Sequence, residues 1–230
     1  MAFRTKQDQV AEILRERIIA GIYKRGAKLK QADIAKELGV SITPVREALQ
    51  MLDAEGFVLG HAHKGVLVPE FQPEQAVEIY ELRLKLERDL TAHALQKLSP
   101  ATLAELRTIQ GQVGNAIRSR DLSGIRTANY RFHFTLYEAA ARPQTLHFVR
   151  VLWAKYPFTD QDQKFSRTER MFGEHEAFLK KAEAGDQTGA TEAMVDHIRN
   201  GWQEFLTKAP QDEPARAPAE ATQSRKAPAL

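Results

Sequence analysis

The stretch Gln31-Ala-Asp-Ile-Ala-Lys-Glu-Leu-Gly-Val-Ser-Ile-Thr-Pro-Val-Arg-Glu-Ala-Leu-Gln-Met-Leu52 reads as one helix held across another. Ile34, Ala35 and Leu38 recur at helical spacing. Gly39 follows, a residue on which a helix can stop because it enters the left-handed region without a Cβ clash. Val40 plugs the corner. Ser41 or Thr43 is placed to cap a second helix, and Pro44 falls in its first turn, where no intrahelical amide partner is lost. Val45, Ala48, Leu49 and Leu52 then form a buried stripe, which leaves Arg46 and Gln50 facing outward. Two helices arranged this way make a helix-turn-helix, and polar side chains on the first turns of the second helix suit a DNA major groove. A helix pair with a glycine corner also occurs in proteins that never meet nucleic acid, so the flanking sequence has to decide.

Downstream, Glu55-Gly56-Phe57-Val58-Leu59 ends the second helix and begins an extended run, followed by His61-Ala-His-Lys-Gly65-Val-Leu-Val68. Two short β-rich runs around a basic, glycine-containing tip predict a hairpin wing that holds His61 and His63. Upstream, Val10, Ile13, Leu14, Arg17 and Ile18 predict a helix from about Gln7 to Ala20, ended by Gly21 and packed beneath the pair. Lys24, Arg25, Lys28 and Lys30 crowd the next connection, and Arg46 and Lys64 add charge on the second helix and the wing. Such cations meet phosphates and give salt-dependent affinity without reading sequence; the alternative is a solvated loop.

From Leu14 to Val68 the chain resembles the DNA-binding domain of the GntR family of bacterial transcription regulators. The resemblance rests on Leu14, Ile18, Gly21, Gly26, Leu29, the run Ile34-Ala-Lys-Glu-Leu-Gly-Val-Ser41, Thr43-Pro-Val-Arg-Glu-Ala-Leu49, Leu52, Glu55-Gly56 and Gly65. Together with the outward residues it gives an expected DNA-binding set of Lys28, Lys30, Ser41, Thr43, Arg46, Gln50, His63, Lys64 and Gly65. The chain departs from the family pattern at Arg25, Gln31 and Ile42, where proline, glutamate and arginine are usual. The resemblance implies that the last of these touches the operator, so Ile42 changes the expected base preference.

The 230 residues suffice for two domains of ordinary size, and 43% hydrophobic with 27% charged residues is a globular composition. No run approaches the roughly 18 apolar residues of a membrane span, and the amino terminus carries no export signature, which predicts a cytoplasmic protein with no membrane partner. A net charge of +3 argues little by itself; the clustering of the cations argues more. Zero cysteines leave histidine and carboxylate side chains as the protein metal ligands.

Pro69-Glu-Phe-Gln-Pro73 breaks the pattern, and helical periodicity fills the chain from there to about Lys208. Six helices are predicted. They run over Pro73 to Lys97, Ala101 to about Arg118, Ser123 to Ala141, Pro143 to Pro157, about Lys164 to Ala184, and Gln187 to about Thr207. In the first of them Ile79, Leu82, Leu86, Leu90 and Ala94 form the expected buried face. The expected fold is therefore mainly α: a winged helix-turn-helix with a small β-hairpin wing over 1–70, an all-α helical bundle over 71–208, and a disordered tail rich in alanine and proline over 209–230.

Histidines carry the chemistry of the bundle. His93 and His147 show no partner spacing. Asn129 and His133 share a helical face at i, i+4, and His175 and His197 lie on helices either side of the Gly185 corner. Convergence of the three imidazoles would suit a divalent transition metal, Zn, Ni, Mn or Fe. Asn129-Tyr-Arg-Phe-His133, Glu174-His175 and Asp196-His197-Ile198 resemble the metal-binding positions of the FCD effector domain of FadR-like GntR regulators. That resemblance implies metal ligands Asn129, His133, His175 and His197, with Asn129 where aspartate is common. It also implies that Arg83, in Arg83-Leu-Lys-Leu-Glu87, aims at the effector, often a small organic acid. The other reading of Arg83 is a surface pair with Glu87.

Together these features predict a homodimeric regulator that grips a palindromic double-stranded DNA operator and senses a small carboxylate effector, with repression as the default sign. Two rivals remain at this point. A metalloenzyme would use the three histidines, although no His-Glu-x-x-His pattern or spaced general base accompanies them. A non-specific DNA-binding protein would need no effector-sized bundle.

Overall fold

The computed structural model describes residues 5–61, 65–156 and 165–208. The predicted tail, His63 and Lys64 lie outside these residues.

Helix α1 (Lys6–Ile19) opens on Thr5, whose side chain accepts from the Asp8 amide while the Asp8 carboxylate accepts from the Thr5 amide. Its buried Val10, Leu14 and Ile18 pack on α3 (Ile42–Ala54), and Arg15 makes a bidentate pair with Glu55 at the end of α3. Helix α2 (Gln31–Leu38) stops on Gly39, which has φ +64°, and the chain turns directly into α3. Ser41 stands at the cap position of α3 but makes no capping side-chain bond, so the expected cap chemistry is absent there.

The wing differs from the two-stranded expectation. Strands β2 (Leu59–His61) and β3 (Gly65–Leu67) pair antiparallel, and a two-residue β1 (Lys28–Leu29) adds a third strand on the other side of β3. Lys28 faces Leu67 and Leu29 faces Val66 in that register. The connection after α1 is therefore stitched to the wing.

After a 3-10 turn at Pro73–Gln75 come α4 (Ala76–Lys97), α5 (Pro100–Arg118), α6 (Leu122–Ala139), α7 (Pro143–Lys155), α8 (Phe165–Glu183) and α9 (Gln187–Lys208). Helix α4 lies centrally, against α6, α7 and α9, while α5 packs on α6 and α8. Its buried face is rotated from the expected one: Ile79, Arg83, Glu87, Leu90 and Ala94 turn inward, and Leu82 is exposed. A charged pair occupies the interior, and apolar periodicity alone assigns such residues to solvent.

One hydrophobic cluster runs through both parts, from Leu14, Leu52, Phe57 and Val68 to Leu90, Tyr130, Phe132 and Trp153. Helix α6 meets α1 directly: Arg131 pairs with Glu16, and Ser123 and Arg126 donate to the Ala20 carbonyl. Among the described residues no helix is long and apolar enough to cross a membrane.

Candidate functional site

On the amino-terminal part, Ser41, Thr43, Arg46 and Gln50 are exposed along the start and outer face of α3. Lys28 and Lys30 are exposed on the flank of the sheet, and Gly65, at φ +79°, opens β3. Ile42 is 45% exposed among them, an apolar side chain in the middle of a polar face. Arg25 leaves the basic group. Its guanidinium turns toward the bundle and donates to the carbonyls of Pro69 and Tyr156.

Inside the bundle, the ligand atoms of His133, His175 and His197 lie within 4.8 Å of one another, and all three side chains are buried. Helix α6 supplies His133, α8 supplies His175 and α9 supplies His197. Each ring is oriented through its Nδ1. Gln110 donates from Nε2 to the Phe172 carbonyl, which leaves its Oε1 to accept from His175 Nδ1 at 3.2 Å. Glu174 Oε2 accepts from His197 Nδ1 at 2.7 Å. Tyr137 donates to Glu87 at 2.6 Å, so its oxygen accepts from His133 Nδ1 at 2.9 Å. These networks assign all three rings the same tautomer, with the Nε2 lone pair directed away from its Nδ1 partner. Phe132 stacks on the His175 ring at 4.1 Å and fixes its plane.

That arrangement fits a cation. His133 Nε2 and His197 Nε2 stand 3.0 Å apart, two acceptors facing each other. His175 Nε2 and Asn129 Oδ1 are buried without a hydrogen-bond partner, a costly state for polar atoms that a metal ion would relieve. Asn129 and His133 sit one turn apart on α6. Burial first, then neighbouring histidines, holds the His133 and His175 pKa values well below the usual imidazole range, which keeps both rings neutral and ready to ligate. Burial also lowers His197 against the opposing pull of Glu174. Burial pushes the Glu174 carboxyl up, but His197 and Arg167 outweigh it and bring it down to about 2.

Arg83 is neither a surface residue nor an isolated cation. It is buried, donates from Nε to Glu87 at 2.6 Å, and lies between the rings of Trp153 and Tyr156, 4.7 and 4.4 Å from their centroids. Glu87 also accepts from Trp153 Nε1 at 3.0 Å. Sequence reasoning gave no role to Gln110, Tyr137, Asn200 or Arg167 in this site, and quoted Glu174 only as part of the Glu174-His175 motif. Arg167 and Asn200 both donate to Glu174. The available signal was spacing: Tyr137 follows His133 by one turn, as Glu87 follows Arg83. His93 and His147 stay outside the cluster, with His93 near the Asp89 carbonyl and Arg142.

A winged helix-turn-helix with an exposed polar reading face, joined to a helical bundle with a buried ligand cluster, defines a DNA-binding regulator. Residues 6–68 match the family described as bacterial regulatory proteins, gntR family, and residues 78–200 match the FCD domain. The chain belongs to the GntR family of transcription regulators, in the FadR-like branch that carries an FCD domain. It is 32% identical over 147 residues to the HTH-type transcriptional regulator McbR of Escherichia coli K12, a match covering 64% of this chain and 66% of that regulator, just under two thirds of its length. The Exu regulon transcriptional regulator of the same organism is 28% identical over 218 residues, covering 86% of this chain and 83% of the relative. The solved structure of McbR superposes with a TM-score of 0.74 at 25% identity, covering 88% of this chain and 98% of that one. These relatives are regulators, and the enzyme reading of the histidines finds no support among them.

Proposed function

We propose that this regulator binds a palindromic operator as a homodimer through the head formed by residues 1–70, and that the bundle of residues 71–208 senses a small carboxylate through a metal site. In that reading Lys28 and Lys30 meet phosphates, with Lys64 and Gly65 of the wing, while Ser41, Thr43, Arg46, Gln50 and His63 approach the bases. Asn129, His133, His175 and His197 hold Zn, Ni, Mn or Fe. The observation that carries the proposal is the buried three-histidine cluster, one member of which stands on a helix that also docks on the head. Helix α6 supplies His133 to the cluster and carries Asn129 one turn earlier, and its Arg131 reaches Glu16 of α1. When bound, the metal supplies a Lewis-acidic anchor for an effector carboxylate.

Arg83, which the family resemblance assigns to that carboxylate, is held by Glu87, so an incoming anion competes with Glu87 for it. Displacement would disturb Tyr137 and Trp153, the other donors to Glu87. An effector that prefers one placement of the head over the other shifts operator affinity by that difference, in a bacterial cytoplasm where operator and metabolite meet. Repression relieved by the effector is the proposed sign.

Purified protein used to select genomic fragments, followed by footprinting and mass measurement, should show a dimer on an inverted repeat. A monomer on an asymmetric site would overturn the dimer reading. Titration with a panel of small carboxylic acids should move operator affinity by about 5- to 150-fold for the effector. If none does so in metal-loaded protein, the sensor reading is abandoned.

A further inference from the structure

Arg25 is where the basic connection turns away from solvent. Its guanidinium donates to the carbonyls of Pro69 at 3.0 Å, Tyr156 at 2.8 Å and Ala154 at 3.4 Å. Pro69 lies between the wing and the bundle. Ala154 is in the last turn of α7, and Tyr156 is its capping residue. Carbonyls at a helix end lack intrahelical partners, and a cation placed there also meets the negative end of the helix dipole.

The backbone that carries Arg25 is itself pinned. Gly26, at φ +75°, donates its amide to the Val68 carbonyl at 2.8 Å, and the Val68 amide returns a bond to the Ala27 carbonyl at 3.0 Å. The positive φ is what selects glycine here, because a residue with a Cβ is strained in that region. Beside this mount, a void of only about 10 Å³ separates Ile18, Phe57 and Val68 of the head from Trp153 and Ala154 of α7.

The other side of the same helix end touches the interior. Trp153 donates to Glu87, and the Tyr156 ring lies against the Arg83 guanidinium, which is paired with Glu87. Tyr137 links Glu87 to His133. Directed contacts therefore run from the histidine cluster to the last turn of α7, and Arg25 grips that turn from the head.

We propose that Arg25 is an interdomain clasp, which fixes the head on the bundle and carries the state of the histidine cluster to it. The coupling half rests on the metal reading of that cluster. The holding half rests on the three carbonyls alone.

The absence of cysteine allows a clean test on the full chain. Lys36→Cys on α2 and Ala101→Cys on α5, both exposed, would carry spin labels, with unlabelled chain added so that only intrachain distances contribute. Zinc is the probe, and its affinity is read separately by competition with a chelating dye. Without Arg25 substitution, one narrow distance distribution is expected, displaced when zinc is added. Arg25→Gln should keep the zinc affinity, broaden the distribution without zinc, and lose the zinc-dependent displacement. Arg25→Lys keeps the charge but not the reach to three carbonyls and should behave like Arg25→Gln.

If Arg25→Gln matches the unsubstituted chain in width and in response to zinc, the proposal is overturned. Full recovery by Arg25→Lys would replace a clasp with a simple charge effect and also overturn it. A bound zinc ion that leaves the unsubstituted distribution in place removes the coupling half. Failure of the dye competition to detect zinc binding would sink the metal reading instead, and the zinc-free widths would still decide whether Arg25 holds the head.

Discussion

The head and the bundle set their candidate functional side chains on opposite sides of their own surfaces. In the head, Arg46 and Gln50 point into solvent while Val45, Ala48, Leu49 and Leu52 of the same helix are buried. In the bundle, Arg83, Glu87, His133, His175 and His197 lie in the interior among Phe132, Trp153 and Phe178. Folding and binding are therefore separable in the head and entangled in the bundle, where each functional group is also a desolvated group in need of a partner.

The sharpest way to break that contrast is Glu87→Ala. It removes the acceptor of Arg83, Tyr137 and Trp153 at once, leaving a buried guanidinium uncompensated, and is expected to cost about 3–5 kcal/mol in urea unfolding. A loss below about 1 kcal/mol would mean that this interior tolerates charge as a surface does. Next comes the ion. With metal at about 100 times its Kd, the folded state should gain about 2.7 kcal/mol, and His175→Ala should abolish the gain. Equal melting shifts in both proteins would move the site elsewhere.

Asn129→Asp sharpens the comparison in the favourable direction. Adding an anionic oxygen beside His133 should tighten divalent metal by about 10-fold, or about 1.4 kcal/mol, as read with a chelating dye. If neither this change nor His197→Ala alters affinity, the histidines are core residues. The smallest effect on folding belongs to the head: Arg46→Ala should alter stability by no more than about 0.5 kcal/mol while costing about 1–3 kcal/mol of operator binding. Unchanged operator affinity with intact folding would remove Arg46 from the reading face.

The same contrast explains what was legible in the sequence. Helices and their ends could be read wherever glycine, proline or a capping residue stands at a boundary, as at Gly39, Ser99-Pro100 and Gly185. Strand β1 could not, because two residues cannot show an alternation and their pairing is set by β3. The inward face of α4 was hidden because Arg83 and Glu87 satisfy each other in the interior, a fact that hydropathy does not encode. Helix pairing across the Gly185 corner brought His175 and His197 together, and the addition of His133 was implied only by the family resemblance. Their orienting partners could not be read, since Gln110 and Glu174 act through ring nitrogens whose direction only the packed helices determine. Arg25 looked like one more cation in a basic run, and its diversion depends on carbonyls of α7 roughly 130 positions away.

The shared core described above bears on how freely such regulators exchange parts. Ile18, Ile19, Phe57 and Val68 are covered in part by Trp153, Ala154 and Tyr156, so the head of this chain is not a self-contained cassette. A chimera that grafts it onto another bundle exposes that apolar seam unless the recipient helix offers the same coverage. Recombination between relatives would then favour crossovers that keep α1, the wing and α7 together as a matched set, and changes in operator preference would arise by substitution on the outer face of α3.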